Sequence, residues 1–169
     1  MAEAPPEVFM GMNLFVNGSD WRAKVTKFQP SLPKPVTKAI NSPGLLGEIE
    51  VNTSKWSKAE PVITIQGYVP ELLGMVGDPA SIEEPVTIIG VVGANEMKTV
   101  EVEISGLWKD TDLPEWADEA NAENSFKIVA YEYQMKIEGK EVLYVDYERR
   151  IVRINGKDIS ADINKRLKA

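Results

Sequence analysis

The chain has 169 residues with 19 Lys and Arg against 26 Asp and Glu, which gives a formal charge of −7. It contains no Cys and no His, so thiolate nucleophiles, Cys or His zinc sites and His-based catalytic triads are excluded. The acidic balance argues against a protein that holds nucleic acid, because such proteins neutralise phosphates with an excess of Lys and Arg.

The N-terminal residues 1–12 are expected to form a flexible arm, followed by one domain over residues 13–169. The first seven residues carry acid and proline where a secretory signal would carry positive charge and then an apolar stretch. The most apolar stretch, residues 86–94, is far shorter than the about 20 residues that cross a bilayer. We therefore expect a soluble protein with no membrane partner.

A first hairpin is predicted where Asn17-Gly18 separates two β-prone runs, residues 13–16 and 21–28. The next segment, residues 29–43, contains four prolines among polar residues, and proline cannot pair in the interior of a sheet. This pattern predicts a long, semi-stiff loop, and loops of this length are usually functional or mobile. We expect it to contact a neighbouring subunit, with Pro30, Leu32, Pro33, Pro35 and Val36 as the candidate contacts.

The middle of the chain predicts four strands. Residues 46–53 and 61–69 each alternate so that one face is wet, with Glu48, Glu50, Thr64 and Gln66 on the wet side. A short helix is expected after Pro70, with Leu72, Leu73 and Val76 as its buried stripe and Gly77 at its end. Residues 86–92 and 98–108 follow as strands, and in the second of these Glu101 and Glu103 alternate with apolar residues. Residues 110–124 are acidic and are expected to be irregular.

The C-terminal region predicts a long half-buried hairpin. Residues 128–137 alternate aromatic or apolar with polar side chains, a turn follows at residues 138–141 with Gly139 at positive φ, and residues 142–154 return. Asn155-Gly156 then leads to a helix that Ser160 caps. Few residues blunt the edges of this hairpin, so it needs pairing or covering on both sides. The elements together are mainly β, which favours an antiparallel sandwich or barrel-like fold with two short helices.

The acidic pairs Glu48 with Glu50 and Glu101 with Glu103 allow three interpretations. Two carboxylates on one strand face can act as acid and base or bind a hard cation. Ordinary strand alternation also places them on a solvated face, which is the commoner situation. A third interpretation is an acidic surface that lines a passage. No residue pattern indicates a catalytic residue, a cofactor or a metal site.

Six segments in order resemble the major tail tube proteins of contractile-tailed bacteriophages, whose relatives also build phage-tail-like bacteriocins. These segments are residues 13–18, the proline-containing loop after Phe28, and residues 106–108, 131–133, 137–141 and 153–158. The resemblance covers nearly the whole chain from about Met12. Its most specific part is the last hairpin with its Arg-Ile-Asn-Gly-Lys-Asp exit.

The resemblance implies a non-enzymatic structural subunit. Such subunits are antiparallel β-sandwiches that form hexameric rings, each completing a large β-barrel, and the rings stack into a hollow tube inside a contractile sheath. The implied partners are further copies of the chain, the sheath, baseplate or tail-initiation proteins, and the tape measure protein and DNA in the lumen. The implied location is a virion tail or bacteriocin particle assembled in the bacterial host cytoplasm.

Within that arrangement, the C-terminal hairpin supplies further candidate contacts between subunits, namely Tyr131, Tyr133, Gly139, Lys140, Tyr144 and Tyr147. The candidate acidic lumen face consists of Glu48, Glu50, Glu101 and Glu103. An acidic wall would repel DNA phosphates and let the genome slide.

Two alternatives remain open at this point. One is the same architecture in a bacteriocin or secretion-type injection system that carries no genome. The other is a β-sandwich module that binds carbohydrate or a cation, which only the acidic pairs and the aromatic residues support.

Overall fold

The computed structural model describes residues 5–22 and 24–168. Its strands, in chain order, are β1 (Val8–Val16), β2 (Ser19–Asp20), β3 (Val25–Gln29), β4 (Pro35–Ile40), β5 (Ile49–Trp56), β6 (Val62–Gln66), β7 (Val86–Gly93), β8 (Met97–Asp112), β9 (Glu123–Ile137), β10 (Lys140–Asp146), β11 (Ile151–Ile154) and β12 (Lys157–Asp158). The helices are α1 (Pro70–Leu73) and α2 (Ala161–Leu167), with a 3-10 helix at Pro79–Glu83. The predicted mainly β, antiparallel fold with two short α-helices is confirmed. Of the helices in the described residues, none is long and apolar enough to cross a membrane.

The long strand β9 is the centre of a ten-stranded antiparallel sheet. One side of β9 pairs with β8 along most of its length. The other side pairs with β6 over residues 123–127 and with β10 over residues 132–137. The sheet therefore forks into a β6–β3 branch and a β10–β11–β12 branch, while β7, β1 and β2 continue it beyond β8.

The main core lies between the β6–β3 branch and the dry face of the sheet formed by β9, β8, β7 and β1. Its largest fully buried side chains include Trp108, Phe126 and Tyr133. The Trp108 and Phe126 rings meet edge to face with their centroids 5.4 Å apart, an arrangement that stabilises aromatic pairs beyond their buried area. A smaller cluster of Leu143, Val145 and Val152 lies on the other branch.

A bulge changes the inward-facing positions of β9. The register of β8 with β9 shifts between Ser105 and Gly106, so that Tyr131 has no directly opposite residue on β8. Even-numbered residues of β9 are buried before the bulge and Tyr133 is buried after it. The predicted regular alternation over residues 128–137 is therefore wrong, because a bulge adds one residue to the period of two.

Three two-residue turns have both central residues at positive φ. They are Asn17-Gly18 (48° and 82°), Glu138-Gly139 (52° and 75°) and Asn155-Gly156 (51° and 81°). These are the type I′ dihedral signs that match the twist of a hairpin. The predictions of a turn at Asn17-Gly18 and of a positive φ at Gly139 are confirmed.

Several predicted boundaries are wrong. The return strand of the first hairpin, β2, has two residues, and β3 instead pairs with β6. Strand β1 already begins at Val8, so residues 8–12 are not part of a flexible arm, and residues 1–4 lie outside the described residues. The predicted strand over residues 142–154 is two antiparallel strands, β10 and β11. Asp146 makes the turn between them, since its Oδ1 accepts hydrogen bonds from the backbone N–H groups of Glu148 and Arg149.

Three smaller expectations also change. Thr64 is buried rather than wet, because β6 lies between two strands and the Thr64 hydroxyl is 3.2 Å from that of Ser125. Helix α1 is a single turn capped at Gly74 rather than Gly77. Ser160 occupies the N-cap of α2 but does not cap it with its side chain, because the hydroxyl accepts from the Val152 N–H and donates to Asp158.

Candidate assembly surfaces

Strands β4 and β5 form a hairpin that is separate from the main sheet. Every residue of the two strands except Trp56 is exposed. The large apolar side chains exposed on the hairpin and its connecting tip are Val36, Ile40, Leu45, Leu46, Ile49 and Val51. A two-stranded hairpin is marginally stable in water when it stands alone, and clustered exposed apolar side chains mark interaction surfaces. This hairpin is therefore the clearest candidate for contact with another molecule.

The hairpin corrects two predictions. Residues 35–40 are a strand and not part of a loop, which is possible because proline is tolerated at the start of a strand with an open edge. Residues 49–55 have no dry side within the protomer. Of the predicted loop over residues 29–43, residues 30–34 between β3 and β4 and residues 41–43 after β4 remain outside the strands.

The base of the hairpin is anchored to the β10–β11 branch. Trp56 packs against the cluster of Leu143, Val145 and Val152. The Tyr147 hydroxyl donates to the Ser57 carbonyl oxygen at 2.6 Å. Burial raises the pKa of Tyr147 to about 12, so this hydroxyl is protonated at neutral pH and remains a donor. The hairpin is thus fixed at its base, while its tip projects.

The structure separates the predicted contact residues into accessible and inaccessible groups. The exposed residues are Pro30, Leu32, Pro35, Val36, Gly139 and Lys140. Tyr131, Tyr144 and Tyr147 are half-buried. Pro33 is buried and Tyr133 is completely buried in the core, so neither side chain can reach another subunit in this conformation. The sequence pattern did not distinguish them, because burial of both depends on tertiary packing.

Tyr144 belongs to a polar cluster across β9, β10 and β11. Its hydroxyl donates to Glu132 Oε1 at 2.8 Å. The Arg153 guanidinium lies 4.1 Å from the Tyr144 ring centroid and its Nε is 3.1 Å from Glu141 Oε1. Burial, followed by the hydrogen bond to Glu132, raises the pKa of Tyr144. The cluster holds the three strands in register on their outer face.

The four predicted lumen carboxylates fall on two different surfaces. Glu101 and Glu103 are half-buried on β8, where Glu101 lies opposite Lys136 of β9. Glu48 and Glu50 are exposed on the β4–β5 hairpin and its tip. Among residues 5–22 and 24–168, no group of three or more acidic side chains is placed to hold a metal ion.

The main sheet leaves backbone edges open. Strand β1 pairs with β7 on one side, but on its other side only Phe15 and Val16 pair with β2. The edge of β1 over residues 8–14 and the outer edge of β3 therefore have no strand partner in the described part of the chain. Val8, Phe9 and Met10 on this edge are exposed. Open edges with exposed apolar side chains favour pairing with another chain.

Of the predicted irregular segment over residues 110–124, residues 113–122 are irregular, whereas residues 110–112 belong to β8 and residues 123–124 to β9. Trp116 is 85% exposed, and its Nε1 donates to the Tyr68 hydroxyl at 2.7 Å. Trp21 and Trp108, in contrast, pack in the main core. Leu45 and Leu46 are exposed candidate contacts that were not predicted from the sequence. The available signal was Pro43-Gly44 and Gly47 between two β-prone runs, which is typical of a hairpin tip.

The chain matches one protein-family model and is similar in fold to solved structures. The family model described as "Phage tail tube protein FII" matches residues 6–167. Among solved structures, the chain is similar to the sheath/tube terminator of an extracellular contractile injection system, PVC, in its extended state. That similarity has a TM-score of 0.59 and 11% sequence identity, and covers 80% of this chain and 99% of the other. No curated protein matches the chain.

Proposed function

The chain belongs to the phage tail tube protein FII family, and from this membership we propose that its copies form hexameric rings that stack into a hollow conduit for DNA delivery into a host. The observation that carries the proposal is the match over residues 6–167, nearly the whole chain. The fold similarity to a contractile injection system component supports it. The chain is a tail tube protein, and no catalytic role is proposed for it.

Lateral contacts in each ring are proposed to use the open sheet edges. The β1 edge over residues 8–14 of one subunit and a sheet edge of the next would pair, so that the ring closes as one large barrel. Closure of this kind removes edges that would otherwise promote aggregation. The exposed turn residues Gly139 and Lys140 and the half-buried Tyr131 remain candidates for the same contacts.

Axial contacts between rings are proposed to use the β4–β5 hairpin with Pro30 and Leu32 beside it. A ring presents different surfaces above and below, and contacts between unlike surfaces extend into a filament when the symmetry does not close. The anchored base and free apolar tip of the hairpin support this role.

The lumen is proposed to be lined by the outer face of β8, with Glu101 and Glu103. A chain of charge −7 makes an acidic wall, which would let DNA move because it offers no release of counterions from the phosphates. Glu48 and Glu50 are assigned to the hairpin surface instead, because they lie on a separate sheet.

Further partners are proposed on the strength of the family. They are the contractile sheath around the tube, baseplate or tail-initiation proteins at its end, and the tape measure protein and DNA inside it. Assembly would take place in the cytoplasm of the bacterial host, and the product would be a virion tail.

Electron microscopy of the purified chain tests the proposal. Protein is concentrated stepwise at low and high salt, with and without tail-initiation components, and imaged by negative stain. Hollow tubes whose end-on views have sixfold symmetry are the expected result. Globular monomers under every condition, with a monomer mass by light scattering, would refute it.

A second candidate follows from the solved neighbour, which comes from an injection system. In this case the same tube belongs to a bacteriocin or secretion-type particle that carries no genome. Capsid and terminase genes beside the coding sequence would favour the phage. Tail and lysis genes without a capsid would favour the particle.

A further inference from the structure

An apolar cleft of about 200 Å³ opens between the end of β3 and the main sheet. Its walls include Phe9, Met12, Phe28, Val100 and Met135. The cleft lies where the partner of β9 changes, because β6 pairs with residues 123–127, Ile128 and Ala130 bond to the chain just before β6, and β10 pairs from residue 132 onward. The dry face around Val100 and Met135 is consequently only partly covered.

The mouth of the cleft adjoins the open edge of β1. The Phe9 side chain is 72% exposed and lies over Gly90, where an added Cβ would be 3.3 Å from the ring. Phe9 therefore forms the wall of the cleft next to the edge of β1. Filling an open apolar cleft with an apolar group is favourable, because it removes apolar surface from water and adds van der Waals contacts.

The tip of the β4–β5 hairpin supplies such a group. Leu46 is fully exposed and Leu45 is exposed beside it. An apolar cavity of roughly 150 Å³ accepts benzene, so a cleft of about 200 Å³ has room for one leucine side chain.

The tip and the cleft lie on different parts of the protomer. Trp56 at the hairpin base packs on the β10–β11 branch, whereas the cleft lies over β1, β7, β8 and the end of β9. Leu46 is fully exposed, so it does not fill the cleft of its own protomer. A second copy of the chain can supply the tip and can receive one in its own cleft, which makes the contact head-to-tail.

An accessible cation lies beside the cleft, and two carboxylates lie at the tip. Glu48 and Glu50 follow the leucines at the tip. Lys98 lies on the same face of β8 as Val100, because strand side chains alternate. Lys98 pairs with Glu7 at 2.6 Å, yet its side chain remains 47% exposed, so it is accessible to a carboxylate from another copy.

We propose that Leu46 at the hairpin tip of one copy inserts into the cleft between β3 and the main sheet of the next copy, with Glu48 facing Lys98 at the cleft mouth. This inference rests on the proposed function, because it requires copies that assemble into a tube. The cleft is then the surface that receives the hairpin tip.

Disulfide trapping tests the contact directly, since the chain has no native Cys. The test variant carries Leu46→Cys with Val100→Cys, and the matched control carries Leu46→Cys with Glu101→Cys. Val100 and Glu101 are neighbours on β8 with side chains on opposite faces, and a disulfide requires Cα atoms within about 7 Å. Oxidised tubes of the test variant should give a ladder of covalent multimers on a denaturing gel, and the control should not.

Each other result overturns the inference. Tubes of the test variant without a ladder show that the tip lies elsewhere, while the proposed function stands. A ladder in the control assigns the tip to the wet face of β8. If the parent protein forms no tubes, the proposed function fails first and this inference fails with it.

A second variant measures the contact without a cross-link. Leu46→Asp should raise the critical concentration for assembly at least roughly tenfold, because it replaces an apolar side chain that would be buried in the contact with a charged one. The control is Leu113→Asp, at an exposed leucine outside the hairpin and cleft, and it should assemble as the parent does. Circular dichroism checks that both fold. An unchanged critical concentration for Leu46→Asp would contradict the proposal.

Discussion

The substitution Gly139→Val tests the turn that joins β9 to β10. Gly139 has φ of 75° and the preceding Glu138 has φ of 52°. A Cβ added at Gly139 would meet no atom within 4 Å, so the cost of a side chain is backbone strain without a clash. Placing a β-branched residue in the left-handed region costs about 1–2 kcal/mol.

The expected result is a lower melting temperature. For a chain of 169 residues, each 1 kcal/mol shifts Tm by about 2–4 °C, so Gly139→Val should melt roughly 2–8 °C below the parent. The melt is followed by circular dichroism at low protein concentration, because assembly would raise the apparent Tm by mass action.

Two controls separate strain from other causes. Gly139→Asn should lose less than half as much, since Asn tolerates the left-handed region. Gly11→Val, at a glycine of β1 that has equal space and no positive φ, should leave Tm unchanged or slightly higher. If Gly139→Val melts together with the parent, the strain argument is wrong. A loss well above 2 kcal/mol would indicate a clash that the geometry excludes.

Three further substitutions probe the core and the hairpin base. Gly106→Ala would place a Cβ in a severe clash with the Val129 carbonyl oxygen, and we expect a loss of about 3 kcal/mol or more in urea unfolding; a midpoint equal to the parent's would contradict this. Burial raises the pKa of Tyr133 from 10.0 to about 12, so the stability from its protonated form is complete below pH 10 and is lost as pH rises through 12. The free energy of unfolding of Tyr133→Phe should therefore fall less steeply with rising alkaline pH than that of the parent. At pH 7 the variant should be as stable as the parent, because the Tyr133 hydroxyl has no hydrogen-bond partner in the described structure. An equally steep fall for both proteins would count against this reasoning. Tyr147→Phe removes the hydrogen bond to Ser57 and should cost about 1 kcal/mol and speed tryptic cleavage of the β4–β5 hairpin, whereas equal cleavage rates would show that this bond does not anchor it.

Local sequence signals predicted the parts of the fold that depend on neighbouring residues. Asn17-Gly18 and Glu138-Gly139 form the expected turns because their dihedral preferences are local. The alternation of Glu101 and Glu103 with apolar residues predicted β8 because one face of the strand is dry along that stretch. Both signals need only a few consecutive residues, and tertiary packing reinforced them.

The errors come from features that the local sequence does not encode strongly. The break between β10 and β11 contains no glycine or proline, and the carboxylate of Asp146 and a positive φ of 57° at Arg150 make the turn. Pro35 suggested a loop, but proline is compatible with a hairpin whose strands both have open edges. The burial of Tyr133 depends on a bulge and on packing across the sheet.

The sequence was enough to predict that the protein assembles, but it predicted the contacting residues less well. An assembling β protein was expected, and its residues 35–40 were placed in a contact segment, but as a loop rather than a strand. The cleft could not be predicted, because it arises where β9 changes partner from β6 to β10. A change of partner along one strand is a property of the tertiary fold, and no residue of β9 marks it.

The fork in the sheet links the two kinds of contact that a tube requires. A tube needs lateral contacts that close after a fixed number of subunits and axial contacts that do not close. Backbone pairing along the open edge of β1 has a fixed spacing and twist, so it suits lateral closure. The connection around Leu46 lies outside the strands and fixes no strand register, so in the proposed tube it could adapt to the surface of the next ring. The fork creates the β10–β11 branch, on which the base of the hairpin packs, and also the cleft beside β1. One topological feature can therefore supply both the inserting tip and the receiving cleft for axial growth, while the edge of β1 stays free for lateral pairing in the ring.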